Sequence, residues 1–313
     1  MKTLYIATLS AIVLFTMACS EGSQTVQTAK LLFKSGFEGK VYMDSAPVKD
    51  SEEYHYIRGK DTESGFSWPL EILGSSESAL HAVDDDGGDA LEASIVSITG
   101  HTGKKTKVLY TKENYDATGA TQYPYEILNI QDGRKDLYVR YWMKIDSHML
   151  GEKNKWRAFL EYKTKDYKDP GENGTGFRLI SYLYTDEEGR ASWHFQGDKD
   201  SEHALWECDT LAPTASCNNS AVPVITDKWF LTEYYWHWSN GNDGIARWKI
   251  NGKIVGEHHG PTTRHNNPID FIMLTQIYGD SNPKEQWIDD IEVWDSEPKM
   301  CDDNDGGTTP CSP

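Results

Sequence analysis

Three histidines occupy positions from which an imidazole could accept or donate a proton. His237 shares the alternating face of an apolar run with Glu233, and His194 shares such a face with Gln196. His101 lies in the glycine-rich segment GHTGKKT. A single histidine is more often a hydrogen-bonded structural residue than a catalyst, so each of the three is a candidate acid or base rather than an assigned one.

Cations and a flat aromatic ring alternate with apolar residues in two runs. From Leu137 to Ile145, Arg140 and Trp142 fall on the face opposite the apolar one, and the run Arg157 to Lys163 alternates in the same way. A flat ring beside cations suits a sugar-facing surface, although exposed arginine and lysine are more commonly part of a solvated surface. The predicted substrate-binding residues are Arg140, Trp142, Arg157, Lys163, Gln196 and Gln276.

These residues stand in short runs that predict β-strands. The stretch from Lys228 to Asp295 contains KWFLTEYYWHWS, IARWKI, KIVGEHHG, FIMLTQIYG and QWIDDIEVWD, all rich in aromatic and β-branched residues. Asn251-Gly252 between two of these runs predicts a tight hairpin, because both positions of such a turn need positive φ. Long helical periodicity and solenoid repeats are absent from the sequence. The expected fold is therefore all-β, a single antiparallel β-sandwich over residues 31–298.

Several of these segments resemble one group of proteins. The segments GHTGKKT, LYVRYWMKI, WRAFLEYK and IDDIEVWD are similar to those of concanavalin-like jelly-roll polysaccharide lyases of the heparin lyase I and alginate lyase type. The resemblance implies a jelly roll with a concave sheet bearing Arg140, Trp142, Gln276 and Tyr278. It also implies cleavage of a uronic-acid-containing polysaccharide by β-elimination, with no organic cofactor.

The resemblance assigns a role to Tyr278. In these lyases a tyrosine late in the corresponding strand, in a Gly-x-Tyr setting, protonates the leaving oxygen, and Tyr278 falls at that position. Gln276 stands where the family has glycine. β-Elimination also needs a base for the C5 proton and donors that neutralise the carboxylate. His101, His194 and His237 are the candidate bases.

Two other activities compete with the lyase hypothesis. A lectin-like binding module needs only aromatic side chains and polar groups nearby. A glycoside hydrolase needs two carboxylates flanking one bond, and the E-x-D-x-x-E run of laminarinase-type jelly rolls does not occur. The binding module is therefore the main alternative, and hydrolysis is less favoured.

A structural calcium ion is the one metal that the resemblance implies. In jelly rolls of this kind an early Phe-Glu and a late Asp-Asp often frame the ion, which predicts Glu38 and Asp289 as ligands because calcium prefers oxygen donors. The alternative is that these acids simply end two strands.

The beginning of the chain predicts export. Lys2 precedes an apolar run from Leu4 to Met17, and Ala18-Cys19 resembles a lipoprotein cleavage site. We expect residues 1–18 to be the signal, Cys19 the lipidated residue, 19–30 a tether and 299–313 a tail. The protein would then be a monomer that is exported and lipid-anchored to the bacterial envelope, or secreted.

The net charge bears on the class of partner, and the remaining cysteines bear on the compartment. So acidic a chain argues mildly against a polyanionic glycan, unless a local basic groove overrides the overall charge. The net charge of −18 argues against nucleic acid as a partner, because binding there depends on cations that neutralise phosphates. Without Cys19 an even number of cysteines remains, and three pairings are open. We favour Cys208 with Cys217 and Cys301 with Cys311, because these pairs close short loops. A zinc site is the competing interpretation.

Overall fold

The computed structural model describes residues 28–44, 53–68, 79–82, 91–113, 128–129, 134–164, 177–198, 204–212, 217–264, 269–273, 278–279, 284–301 and 309–310. The signal segment, Cys19, Gln276 and Cys311 lie outside these ranges. Within them no helix is long and apolar enough to cross a membrane.

The described chain consists of strands and one short 3-10 helix, Ser147–Leu150. The strands are β1 Leu31–Ser35, β2 Tyr42–Asp44, β3 Glu53–Lys60, β4 Ser67–Trp68, β5 Ala79–Ala82, β6 Leu91–Thr99, β7 Lys105–Glu113, β8 Leu128–Asn129, β9 Asp136–Ile145, β10 Lys155–Thr164, β11 Arg178–Thr185, β12 Ala191–Asp198, β13 Ala204–Asp209, β14 Phe230–His237, β15 Ile245–Ile250, β16 Lys253–His259, β17 Ile269–Met273, β18 Tyr278–Gly279, β19 Lys284–Trp294, β20 Met300–Cys301 and β21 Thr309–Pro310.

Two antiparallel sheets form the body of the molecule. The eight-stranded sheet has the order β16-β15-β14-β9-β19-β7-β6, with β1 also paired to β19. The seven-stranded sheet has the order β13-β12-β11-β10-β17-β8, with β18 also paired to β10. Strands β2 to β5 form a smaller sheet, and β20 pairs with β21. The predicted all-β, concanavalin-like antiparallel sandwich is confirmed.

Aromatic side chains fill the space between the two sheets. Tyr162 of the seven-stranded sheet lies 5.1 Å from Trp236 of the eight-stranded sheet, measured between ring centroids, and Trp193 lies 5.4 Å from Trp248. Each such pair adds about 1 kcal/mol beyond the burial of its area. The face of each sheet that carries these rings is its inner face, and we call the opposite face its outer face.

The hairpin at Asn251-Gly252 and the alternation of β9 are as predicted. Asn251 has φ +49° and Gly252 has φ +72°, as a tight two-residue turn requires. In β9, Tyr141 is 0 % and Met143 is 1 % exposed, whereas Arg140 and Trp142 lie on the outer face and are partly exposed.

Strand β10 departs from simple alternation. A bulge between Ala158 and Leu160 inserts one extra residue. Residues on either side of the bulge that simple alternation would put on one face therefore lie on opposite faces. Arg157 pairs with the core residue Leu183 and is 0 % exposed. Lys163, beyond the bulge, is on the outer face opposite Arg178. The prediction that Arg157 and Lys163 share one face is therefore wrong.

The cysteines follow the expected short pairing where the structure describes them. Cys208 and Cys217 form a disulfide with Cα atoms 5.4 Å apart, which fastens the segment after β13 to the inner face. Cys301 is also disulfide-bonded. Its predicted partner Cys311 lies outside the described residues.

Candidate functional site on the seven-stranded sheet

One cross-strand row joins residues from five segments of the seven-stranded sheet. The backbone register runs from Asp209 to His194, Tyr182, Ala158 and finally Tyr278. Directly opposed positions in antiparallel strands are neighbours across the sheet. The row therefore places the backbone of Tyr278 two strands from Tyr182 and three from His194.

His194 is held from both sides of its ring. Its Nδ1 lies 3.2 Å from Oε1 of Glu207, and its Nε2 lies 2.9 Å from Oγ of Ser192 and 3.5 Å from Oδ1 of Asp209. The hydrogen bond from His194 lowers the pKa of Glu207, so this carboxylate is ionised at neutral pH. In the tautomer whose Nδ1–H donates to Glu207, the lone pair of Nε2 faces the hydroxyl of Ser192.

The arrangement of Ser192, His194 and Glu207 resembles a nucleophile, a base and an orienting acid. However, Ser192 is only 2 % exposed, less than the 7 % of His194. A nucleophile must reach its substrate. We therefore interpret Ser192 as a residue that positions the imidazole.

Tyr182 stands beside His194. Their rings stack with centroids 4.8 Å apart and an interplanar angle of 20°. The Tyr182 hydroxyl lies 3.0 Å from Oε1 of Gln196 and 3.2 Å from Oε1 of Glu207. The rings of Tyr184 and Trp156 complete an aromatic wall, at 5.5 Å from His194 and 6.5 Å from Tyr182 respectively. Flat rings beside a few fixed polar groups are typical of a sugar-binding surface.

A charged cluster lies on the same outer face, nearer the other end of β10 and β11. Oε2 of Glu161 is 2.5 Å from Nζ of Lys163, and its Oε1 is 3.2 Å from Nη1 of Arg178. Glu161 is 0 % and Lys163 is 3 % exposed. Two cations therefore share one carboxylate in a cluster that is largely withdrawn from solvent.

Sequence reasoning missed much of this site. Trp156, Tyr182, Tyr184, Glu207 and Asp209 were not among the predicted residues. The alternation of RLISYLYT places both tyrosines of this segment on one face with Arg178, a pattern that could have pointed to them. The two acids of ALWECD, Glu207 and Asp209, are two residues apart and therefore also share one face.

Other predicted residues lie elsewhere. Arg140 and Trp142 belong to β9 in the eight-stranded sheet, so the prediction that they share a sheet with Tyr278 is wrong. Nε of Arg140 binds Oε2 of Glu292 at 2.8 Å. Inward and outward residues alternate along the strands of both sheets with the same period. Alternation therefore identifies an outward residue but does not tell which sheet carries it.

The remaining predicted bases also belong to the eight-stranded sheet or its loops. Nδ1 of His237 lies 2.8 Å from Oδ1 of Asp136. The ring of His101 stacks on Trp142, with centroids 4.2 Å apart and an interplanar angle of 8°. Of the three predicted histidines, His194 alone lies in the row that contains Tyr278. Arg157 is withdrawn from solvent and donates to the carbonyl of Lys155 and to Oγ1 of Thr185.

The predicted calcium ligands have different surroundings. Oε1 of Glu38 accepts hydrogen bonds from Oγ1 of Thr106 at 2.6 Å and from the amide of Lys107 at 2.8 Å. Asp289 is 2 % exposed and lies with His101 and Asp290 in a group whose ligand atoms are all within 4.8 Å of one another.

This donor set contains an imidazole nitrogen, which calcium does not favour. The set therefore fits calcium poorly, and calcium at Glu38 and Asp289 stays a prediction. Burial and the neighbouring carboxylate of Asp290 raise the pKa of Asp289 to about 8.

Comparisons with known proteins give structural likeness only. No protein-family model and no curated protein matches the chain. The alginate lyase Aly36B is similar in structure, with 18 % identity, a TM-score of 0.47, and coverage of 64 % of this chain and 82 % of that one.

Two further solved structures are less similar. The endo-β-1,4-glucuronan lyase from the fungus Trichoderma reesei has 10 % identity and a TM-score of 0.43, with 68 % and 92 % of the two chains covered. The endo-1,3-β-glucanase from Streptomyces sioyaensis has 10 % identity and a TM-score of 0.38, with 86 % and 96 % covered.

Proposed function

We propose that the outer face of the seven-stranded sheet binds a uronic-acid-containing polysaccharide and cleaves it by β-elimination. The observation that supports this most is the row of the sheet that joins His194, Tyr182 and the backbone of Tyr278. It brings an imidazole, a phenol and the tyrosine that the family resemblance assigns as acid to one line across the sheet.

The chemistry divides between two proton transfers. A base removes the C5 proton of the uronate, the C4–O bond breaks, a C4–C5 double bond forms, and the leaving oxygen takes up a proton. Nε2 of His194 is the proposed base, because Glu207 fixes the opposite nitrogen. Tyr278 is the proposed acid. Gln196, whose Oε1 lies 3.0 Å from the Tyr182 hydroxyl, is the residue proposed to orient the sugar beside the base.

Arg178 of the charged cluster is the proposed contact for a carboxylate of the polysaccharide. Four residue steps of β11 separate it from Tyr182, about 13 Å at 3.3 Å per residue. In this proposal Arg178 fixes the register of an acidic polysaccharide along the face.

The experiment is a panel of uronic polysaccharides incubated with the purified protein while the absorbance of the unsaturated product is followed. The proposal expects absorbance with at least one uronic polymer and none with neutral glucans. His194→Gln should remove the absorbance while leaving the far-UV circular dichroism spectrum of the protein like that of the wild type.

A non-catalytic binding module is the alternative, and the aromatic wall of Trp156, Tyr182 and Tyr184 favours it because stacking alone suffices for binding. Affinity for a glycan without any unsaturated product would support the module. Reducing ends that appear without the double bond would instead indicate hydrolysis by Glu207 and Asp209.

We also propose that the protein is exported and held to the envelope through Cys19. The disulfide of Cys208 and Cys217 supports an oxidising compartment. Metabolic labelling with a radioactive fatty acid tests the anchor. Label in the wild type and none in Cys19→Ser is expected, and equal label in both would refute it.

A further inference from the structure

A second site lies on the eight-stranded sheet, away from the row of His194. We propose that His101, Asp289 and Asp290 hold a divalent transition-metal ion, zinc foremost, rather than calcium. Their ligand atoms lie within 4.8 Å of one another. One imidazole nitrogen and two carboxylate oxygens are donors that zinc accepts, with a fourth position left for water.

The backbone is distorted in a way that brings the two acids together. Consecutive residues of a strand normally point to opposite faces. In β19 the register with β9 slips by one residue between Asp289 and Glu292, and Asp290 has φ +47°. A left-handed conformation outside glycine costs of order 1 kcal/mol or more and tends to persist where it has a function. Here it turns both carboxylates toward one point.

The loops opposite this bulge approach it closely. A Cβ atom added to Gly36 would lie 2.8 Å from Oδ1 of Asp290, and one added to Gly100 would lie 3.3 Å from Oδ2 of Asp289. Glycine at both positions leaves the carboxylates in a narrow space lined by backbone. A small cation fits such a space better than a side chain does.

Asp289 supplies an independent indication of a ligand. It is 2 % exposed, and its Oδ1 accepts the amide hydrogen of Asp290 at 2.9 Å. Within the part of the chain that the structure describes, no donor is bonded to its Oδ2. The nearby cations Lys34 and Arg140 bind Glu292 instead. Two carboxylates whose oxygens lie this close repel each other, and a bound cation offsets that repulsion.

His101 is oriented for the same point. The stack on Trp142 fixes its ring plane, and its Nε2 lies 2.7 Å from Oδ2 of Asp290. A simple ion pair between His101 and Asp290 would account for that distance alone, but it leaves Oδ2 of Asp289 without a partner. A metal ion shared by all three residues satisfies each of them.

The test uses the full protein, stripped with a chelator and titrated separately with zinc and with calcium by calorimetry. We expect one zinc per chain, a higher melting temperature with zinc, and weaker calcium binding. His101→Gln should weaken zinc binding by at least about tenfold. The matched control is His148→Gln, because His148 contacts Asp146 at 2.5 Å on the surface without a third ligand.

Three results would overturn the proposal. These are an absence of zinc binding by the wild type, calcium binding tighter than zinc binding, or equal loss of zinc affinity in both histidine variants. If His101→Gln does not fold, metal analysis of the untreated wild-type protein by mass spectrometry decides the question. The outcome is independent of lyase activity.

Discussion

The ring of His194 stacks on the ring of Tyr182 across β11 and β12, with centroids 4.8 Å apart. Both rings lie on the outer face of the seven-stranded sheet, and the same row of the sheet continues through Ala158 to the backbone of Tyr278. Tyr182 is therefore the direct cross-strand neighbour of His194, whereas the backbone of Tyr278 lies three strands away, about 14 Å at 4.8 Å per strand.

Tyr278→Phe should abolish elimination and leave glycan binding nearly unchanged. The substitution keeps the ring and removes the proton that the leaving oxygen requires, a loss of about 10²- to 10⁴-fold in kcat. Steady-state kinetics and calorimetric binding measure the two effects. Tyr184→Phe is the matched control and should retain its activity. An active Tyr278→Phe would exclude Tyr278 as the acid.

Trp156→Ala should weaken glycan binding, whereas Trp142→Ala should not. Trp156 borders the aromatic wall, and Trp142 lies on the other sheet against His101. Loss of one stacking ring corresponds to about 1 kcal/mol, or roughly fivefold in Kd. Affinity electrophoresis compares the two variants in gels that contain an analogue of the substrate polysaccharide that the protein does not cleave. The opposite ranking would move the binding surface to the eight-stranded sheet.

Arg157→Ala should destabilise the fold without a direct effect on binding. The guanidinium is 0 % exposed and donates to Lys155, Thr185 and Glu152. Removing it leaves buried acceptors without donors, at about 3 kcal/mol in the free energy of unfolding. Urea denaturation measures this, with exposed Arg190→Ala as the control. A stable variant with weakened glycan affinity would return Arg157 to the substrate-binding residues.

Acid should weaken the contact between Glu207 and His194. The hydrogen bond from His194 holds the folded-state pKa of Glu207 below its ordinary value. A carboxyl group of this kind contributes stability above its unfolded pKa of about 4.3, and this stability is lost as the pH falls through the lower folded pKa.

The difference in unfolding free energy between the wild type and Glu207→Gln should therefore be larger at about pH 5 than at about pH 3. Urea denaturation at both pH values measures it, and Glu188→Gln on the surface is the control. A difference in unfolding free energy that is larger at about pH 3 than at about pH 5 would contradict the lowered pKa of Glu207.

The fold could be predicted from the sequence because local patterns determine it. Aromatic, alternating runs and the Asn251-Gly252 turn define strands and a hairpin without reference to the rest of the chain. His194 could be named for the same reason, since its position between two apolar residues marks an outward side chain.

The arrangement of the site depends on long-range pairing, which local patterns do not contain. Arg140 and Tyr278 both fit an outer face, but β9 and β18 join different sheets. The bulge after Ala158 has no marker in WRAFLEYK and reverses the face of Arg157. The partners of His194 come from β13, whose register with β12 follows from pairing rather than from its own residues.

Strand β19 has a consequence for how the protein is made. It pairs with β9, β7 and β1, so it lies inside the eight-stranded sheet although it is among the last strands of the chain. A ribosome must therefore release residues 284–294 before that sheet can close around them. Until then β1, β7 and β9 expose edges that can pair with other chains. We expect this sheet to close only after residues 284–294 have left the ribosome, and nascent chains that end before β19 to need a chaperone.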